Sequence, residues 1–157
     1  MPIKFVRGDM FATPGLTAFA HGCNCRGVMG AGIAAEFSRR WPKMYEEYRR
    51  RCRTGEFSLG NVMPYQKEGI WIFNLGTQFE PGPSADRVAI ETAVNGMCKV
   101  AGQFNIREIA MPLVGSGIGG LDPAWVQATL QRIGNSHPNL TLVVFVTYVS
   151  GHPAQEV

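Results

Sequence analysis

The sequence predicts an α/β fold, with helices on both faces of a mixed or mostly parallel sheet. Three observations carry this expectation. Short apolar runs alternate with helical stretches along the chain. The run Leu142-Val143-Val144-Phe145-Val146 is apolar at every position, as in a strand covered on both sides. Glycine clusters follow strand-like segments and precede helical ones, where open α/β sheets keep their ligand crevice.

Residues 3–7 read as a first strand and 17–21 as a second. Residues 32–40 read as a helix, because Ile33, Phe37 and Trp41 recur at i, i+4 and i+8. Pro42 breaks or kinks it, having no N–H and clashing with the preceding turn, and helical character resumes over 44–52. Residues 61–65 and 70–75 read as strands joined by a turn at Lys67-Glu68-Gly69. Residues 85–104 read as a helix with Val88, Thr92, Ala93, Met97, Val100 and Ala101 as its buried stripe. Residues 108–113 form a strand and 123–133 a helix, with Asp122 as cap, Pro123 at its first position and Gly134 at its end. Residues 140–148 form the last strand, and the residues from Val149 a loose tail.

A chain of 157 residues that is 45% hydrophobic and 17% charged has the composition of one globular domain. No apolar run reaches the roughly 18 residues of a membrane span. The N-terminus enters a strand pattern without a secretory layout, so a cytoplasmic protein is expected. Cys23, Cys25, Cys52 and Cys98 show no disulfide-framework spacing, which points to reduced thiols. His21, Cys23 and Cys25 lack the second ligand pair of a structural zinc site, so no metal is expected. The net charge of +3 suits an anionic ligand. Arg49-Arg50-Arg51 with Arg53 reads as a solvated helix end, or as a nucleic-acid contact whose affinity would fall with salt.

Three segments carry candidate chemistry. Gly8-Asp9-Met10 follows the first strand, and Asp9 either turns or caps the chain there or accepts from an exocyclic amine. His21-Gly22-Cys23-Asn24-Cys25-Arg26-Gly27-Val28-Met29-Gly30-Ala31-Gly32-Ile33 runs from a strand end into a helix N-terminus, whose unpaired N–H groups and dipole favour an anion. Its glycines at 27, 30 and 32 match neither the dinucleotide fingerprint nor a Walker loop. Pro112-Leu113-Val114-Gly115-Ser116-Gly117-Ile118-Gly119-Gly120-Leu121-Asp122 repeats the strand-to-helix arrangement. Each loop alone could be a structural turn. Together they could grip a diphosphate from two sides.

These motifs resemble the macrodomain family, and the match runs from about Phe5 to Tyr148. The chain is most similar to the branch of terminal ADP-ribose protein glycohydrolases and bacterial DNA ADP-ribosyl glycohydrolase antitoxins. The resemblance implies a three-layer α/β/α domain over residues 1–148, a C-terminal tail over 149–157, an ADP-ribose ligand and no cofactor. Its partners would be ADP-ribose itself or an ADP-ribosylated protein or nucleic acid. It implies that Asp9 and Met10 meet the adenine, flanked by Tyr148, which could equally be an ordinary strand-end tyrosine. Asn24 would lie by the distal ribose. Met29, Gly30, Ala31, Gly32 and Ile33 would line one side of the diphosphate, and Gly115, Ser116, Gly117, Ile118 and Gly119 the other. Hydrolysis of an ADP-ribosyl linkage is the expected activity, with Asn24 and Asp122 as candidate catalytic residues, Asp122 being also a natural helix cap. One departure stands out: Gln78 occupies the position of the branch's nucleophilic lysine, and an amide cannot act as an amine nucleophile. A reader that binds ADP-ribose without chemistry is the alternative.

Overall fold

A computed structural model describes residues 2–157; Met1 lies outside the described residues. In chain order the elements are β1 (Ile3–Gly8), β2 (Ala18–Asn24), α1 (Gly32–Arg40), α2 (Pro42–Thr54), β3 (Val62–Lys67), β4 (Ile70–Gln78), α3 (Arg87–Gln103), β5 (Glu108–Pro112), α4 (Pro123–Asn135), β6 (Thr141–Tyr148) and β7 (Gln155–Glu156). Single 3-10 turns stand at Met10–Ala12 and Gly117–Gly119. The sheet order is β3-β4-β2-β5-β6-β1-β7. The inner strands β4, β2, β5, β6 and β1 run parallel, and the edge strands β3 and β7 pair antiparallel.

Alternation along the inner strands sends side chains into two cores. Ile109, Met111, Leu142 and Val144 pack with Ile90, Met97 and Leu130 beneath α3 and α4. Ala110, Val143 and Phe145 pack with Phe37, Met44 and Tyr48 beneath α1 and α2. Both faces of β6 are therefore covered, which is why its sequence is apolar without a polar alternate. The result is a three-layer α/β/α domain with a mixed, mostly parallel sheet. No helix among the described residues is long and apolar enough to cross a membrane.

Pro42 starts α2 at its first position, with Trp41 closing α1 and opening α2. The stripe of α3 differs from the sequence pattern. Asp86 caps the helix, its carboxylate accepting from Ala89 N at 2.8 Å. The face on the sheet is Ala89, Ile90, Ala93, Val94, Met97, Cys98 and Ala101. Val88 and Thr92 precede that face and point outwards, Val88 being 71% exposed. Two strands run further than their apolar runs suggested. β2 extends to Asn24 and β4 to Gln78, and these two residues are register partners.

The segment from Val149 is not loose. It turns back beside β1, where Glu156 and Gln155 pair with Val6 and Arg7. Apolar periodicity could not reveal this, because the segment is held mainly by hydrogen bonds of its backbone, with the Ala154 side chain packed on the core.

Candidate functional site

Parallel order brings the C-terminal ends of β4, β2, β5, β6 and β1 to one edge of the sheet. A cleft of about 390 Å³ opens there. Asn24, Val28 and Gly30 to Ala34 line one side; Pro112 to Ser116, Ile118 and Gly119 line the other; Thr77, Gln78, Pro81 and Gly82 close one end.

The first loop delivers a helix terminus without a side-chain cap. Ala31 has the extended backbone of an N-cap residue, φ −144° and ψ 160°, but offers no side-chain acceptor. Asp86 and Asp122 fill that role for α3 and α4, at 2.8 Å to Ala89 N and 3.0 Å to Ala124 N. Among the described residues, the N–H groups of Gly30 to Ala34 meet no protein acceptor. They and the positive end of α1 face the cleft, an arrangement suited to an anion. The two loops also approach each other. A Cβ on Gly32, where φ is +59°, would lie 3.2 Å from Ile118 Cδ1.

The polar side chains of the cleft are largely committed to holding its walls. Asn24 Nδ2 donates to Val28 O at 2.7 Å, and its Oδ1 accepts from Arg26 N at 3.0 Å. The Tyr48 hydroxyl donates towards Asn24 from below, 2.7 Å from its carbonyl oxygen and 3.0 Å from Oδ1. Asn24 therefore shapes the loop, and of its two amide hydrogens one stays unspent. Gln78 Nε2 donates to Glu80 O at 2.7 Å and Gly82 O at 2.8 Å, pinning the rim that follows β4. Ser116 Oγ donates to Leu113 O at 2.7 Å. His21, fully buried under the first loop, stacks on Phe37 with centroids 4.1 Å apart. Asn74 Nδ2 donates to Met63 O at 3.0 Å, which turns Asn74 Oδ1 towards His21 Nε2 at 2.7 Å and makes Nε2 the donor. Burial lowers the His21 pKa from 6.5 to about 4, against the opposing pull of Asn74.

No lining side chain is a carboxylate, imidazole or amine among the described residues. Among the described residues Cys23 is the one titratable group in the lining, and burial pushes its thiol well above the usual range. Burial also pushes Cys25 up to about 11. Among the described residues no group of three or more His, Cys, Asp or Glu is placed to hold a metal.

Several expected site residues stand elsewhere. Asp122 is outside the cleft lining, and its Oδ1 caps α4. Met29 and Met10, each 3% exposed, point into the core beneath α1 and α2, because their loops bury apolar side chains under an exposed backbone. Asp9 and Tyr148 lie beyond the cleft, at the ends of β1 and β6. Tyr148 is 66% exposed and pairs in register with Gly8. From β4 to β1 there are four interstrand steps. At about 4.8 Å each these span about 19 Å, room for an extended nucleotide-sugar. The brace Tyr48 was not singled out from sequence. Tyr48 could be read as a core residue of α2 by its spacing from Met44, but its bond to Asn24 needs the tertiary structure.

The arginine cluster is mostly spent. Arg50 pairs with Glu47 and Glu56, and Arg51 with Glu47. Arg49 lies over the Tyr45 ring at 5.5 Å. Arg26 lies over Phe79 at 5.6 Å, at the cleft mouth, and pairs with Glu80.

The Macro domain family profile matches residues 20–130. The chain belongs to the macrodomain family. A DNA ADP-ribosyl glycohydrolase of Thermus aquaticus is 31% identical over 135 residues, 83% of this chain and 37% of the relative. An ADP-ribose 1″-phosphate phosphatase of Lodderomyces elongisporus is 27% identical over 159 residues, covering 91% and 99%. The solved macrodomain of Mycobacterium tuberculosis DarG superposes with a TM-score of 0.82 at 30% identity, covering 91% of this macrodomain and 96% of that chain. This macrodomain spans less than half the length of the glycohydrolases it matches, 37% and 42% of two of them.

Proposed function

We propose that this macrodomain binds ADP-ribose along the C-terminal edge of its sheet and hydrolyses an ADP-ribosyl linkage at the Gln78 end. The uncapped N-terminus of α1 carries this reading. Its N–H groups take the diphosphate, and the second glycine-rich loop closes over it. The adenine then reaches Asp9 and Tyr148, and the distal ribose reaches Asn24 and Gln78. The names of the relatives support a hydrolytic reaction on an ADP-ribosylated macromolecule or on a small ADP-ribose ester.

In that reaction a water oxygen bonds to the anomeric carbon and the bond to the acceptor group breaks. The water proton leaves to solvent, to the departing group or to an oxygen of the substrate, because no lining side chain is suited to take it near neutral pH. A positioned general acid or base contributes about 10²–10⁴ in rate, so turnover should be slow by that margin and flat with pH around neutrality. The protein supplies orientation, through the loop that Asn24 shapes and its remaining amide hydrogen. The same lack of a proton acceptor, with Gln78 in place of lysine, favours the second reading of a non-catalytic reader.

Calorimetry with ADP-ribose tests the first half, and absence of binding would sink it. Turnover assays on an ADP-ribosylated oligonucleotide, an ADP-ribosylated protein and ADP-ribose 1″-phosphate test the second. Tight binding with no turnover of any of them leaves the reader.

A further inference from the structure

The segment after β6 is tied by hydrogen bonds to Asp9 and its neighbours. Val149 N donates to Gly8 O at 3.1 Å, and His152 N donates to Val149 O at 3.2 Å, closing a four-residue turn. Gly151, third in that turn, has φ +75°, as a type II turn requires. Its N–H donates to Asp9 Oδ2 at 3.1 Å, while Phe11 N–H donates to Oδ1 at 2.9 Å. Asp9 N in turn donates to His152 O at 2.8 Å. Thr13 locks the next stretch: its hydroxyl donates to Asp9 O at 2.8 Å and accepts from Ala154 N at 3.0 Å. The approach is tight enough that a Cβ on Gly8 would fall 2.8 Å from Pro153 O.

We propose that residues 149–157 form a strap that makes Asp9 selective for a base with an exocyclic amine over one with a carbonyl at the same place. The inference rests on the proposed adenine position at Asp9. Each Asp9 oxygen receives one backbone N–H, one contributed locally and one by the strap. The carboxylate is thereby held in one orientation, and a lone pair remains on each oxygen for a ligand donor. A 6-amino purine satisfies that acceptor. A 6-oxo purine sets acceptor against acceptor. Without the strap, Asp9 loses the partner of Oδ2 and the acceptor of its own N–H, and its side chain is free to turn away.

The test compares ADP-ribose with its hypoxanthine analogue by calorimetry. The proteins are the wild type, Thr13→Val, Thr13→Ser and a chain ending at Tyr148, each checked by circular dichroism. The wild type should prefer ADP-ribose by roughly 10- to 100-fold, the range of one hydrogen bond to a charged acceptor. Thr13→Val and the shortened chain should lose about tenfold for ADP-ribose and less than about twofold for the analogue, while Thr13→Ser keeps the preference. Equal losses for both ligands in Thr13→Val, or an unchanged ratio, overturn the strap. If the shortened chain does not fold, the two Thr13 variants decide. If the wild type binds neither ligand, the ADP-ribose reading falls and the strap with it; if it binds both equally, only the base selection falls.

Discussion

Adding the missing cap to α1 should stabilise the protein and weaken its binding of ADP-ribose. Ala31 already has the extended backbone of an N-cap residue, so Ala31→Asp asks no change of its own φ and ψ. The caps of α3 and α4 show the outcome, a carboxylate oxygen 2.8–3.0 Å from an N–H of the first turn. Replacing alanine by such a cap is worth about 0.5–2 kcal/mol. The same carboxylate would occupy the N–H groups of the first turn of α1 and stand beside the diphosphate. Two unit charges about 5 Å apart at an effective dielectric of about 20 repel by about 3 kcal/mol, or roughly 200-fold in affinity. Ala31→Ser separates the two effects: it caps without the charge and should cost only the competition for an N–H, about tenfold or less. Urea denaturation and calorimetry with ADP-ribose on the three proteins give both quantities. If Ala31→Asp binds ADP-ribose as the wild type does, the diphosphate does not sit on this helix end. If the variant is destabilised, the terminus was not free.

Gln78→Lys keeps donors for the Glu80 and Gly82 carbonyls and adds an amine at the cleft end. Single-turnover hydrolysis should rise by about 10² or more if that end holds the anomeric carbon, and no rise counts against the assignment. Tyr48→Phe removes the donor beneath Asn24. It should cost about 1–2 kcal/mol in urea denaturation and about tenfold in ADP-ribose affinity; unchanged affinity would show that the loop does not depend on this brace. Asp122→Ala should cost about 1 kcal/mol through loss of the α4 cap and leave turnover within about twofold, so a collapse of turnover would return Asp122 to the chemistry. His21 makes the fold acid-sensitive. Above pH 6.5 the ring is neutral in both folded and unfolded chains; between 6.5 and about 4 only the unfolded chain takes the proton, so stability falls as pH falls. The full shift is worth about 3 kcal/mol, and urea midpoints at pH 7 and pH 4.5 that differ equally in wild type and His21→Phe would contradict it.

The layers and the two glycine-rich loops were legible because each leaves a local signature. Strand β6 must be apolar on both faces, and glycines must stand where chains approach closely. The rotation of α3 was not legible, since Val88 and Ile90 are both apolar and only packing on the sheet distinguishes them, Ile90 being buried and Val88 exposed. Asp122 was legible as the α4 cap from its place before Pro123, whereas sequence does not say where the hydrogen bonds of Asn24 go. Both turn inward to backbone, one shaping a loop and one capping a helix. The segment after Tyr148 was misread for the same reason, since its contacts are made by N–H and C=O groups that every residue carries.

Capping separates scaffold from site in this domain. α3 and α4 spend an aspartate each on satisfying their own termini, and those termini are closed to ligands. α1 has alanine there and leaves its donors open. Gly30, Ala31 and Gly32 are exposed, so these donors keep water as partner until an anion with several acceptor oxygens replaces it. Among the described residues the cleft makes no comparable provision for proton transfer, because Asn24, Gln78 and Ser116 direct their amide and hydroxyl protons mainly into the walls. Affinity should therefore depend on the backbone of the two loops and be insensitive to pH near neutrality. Catalytic rate should be the property most easily raised by a single substitution, at Gln78.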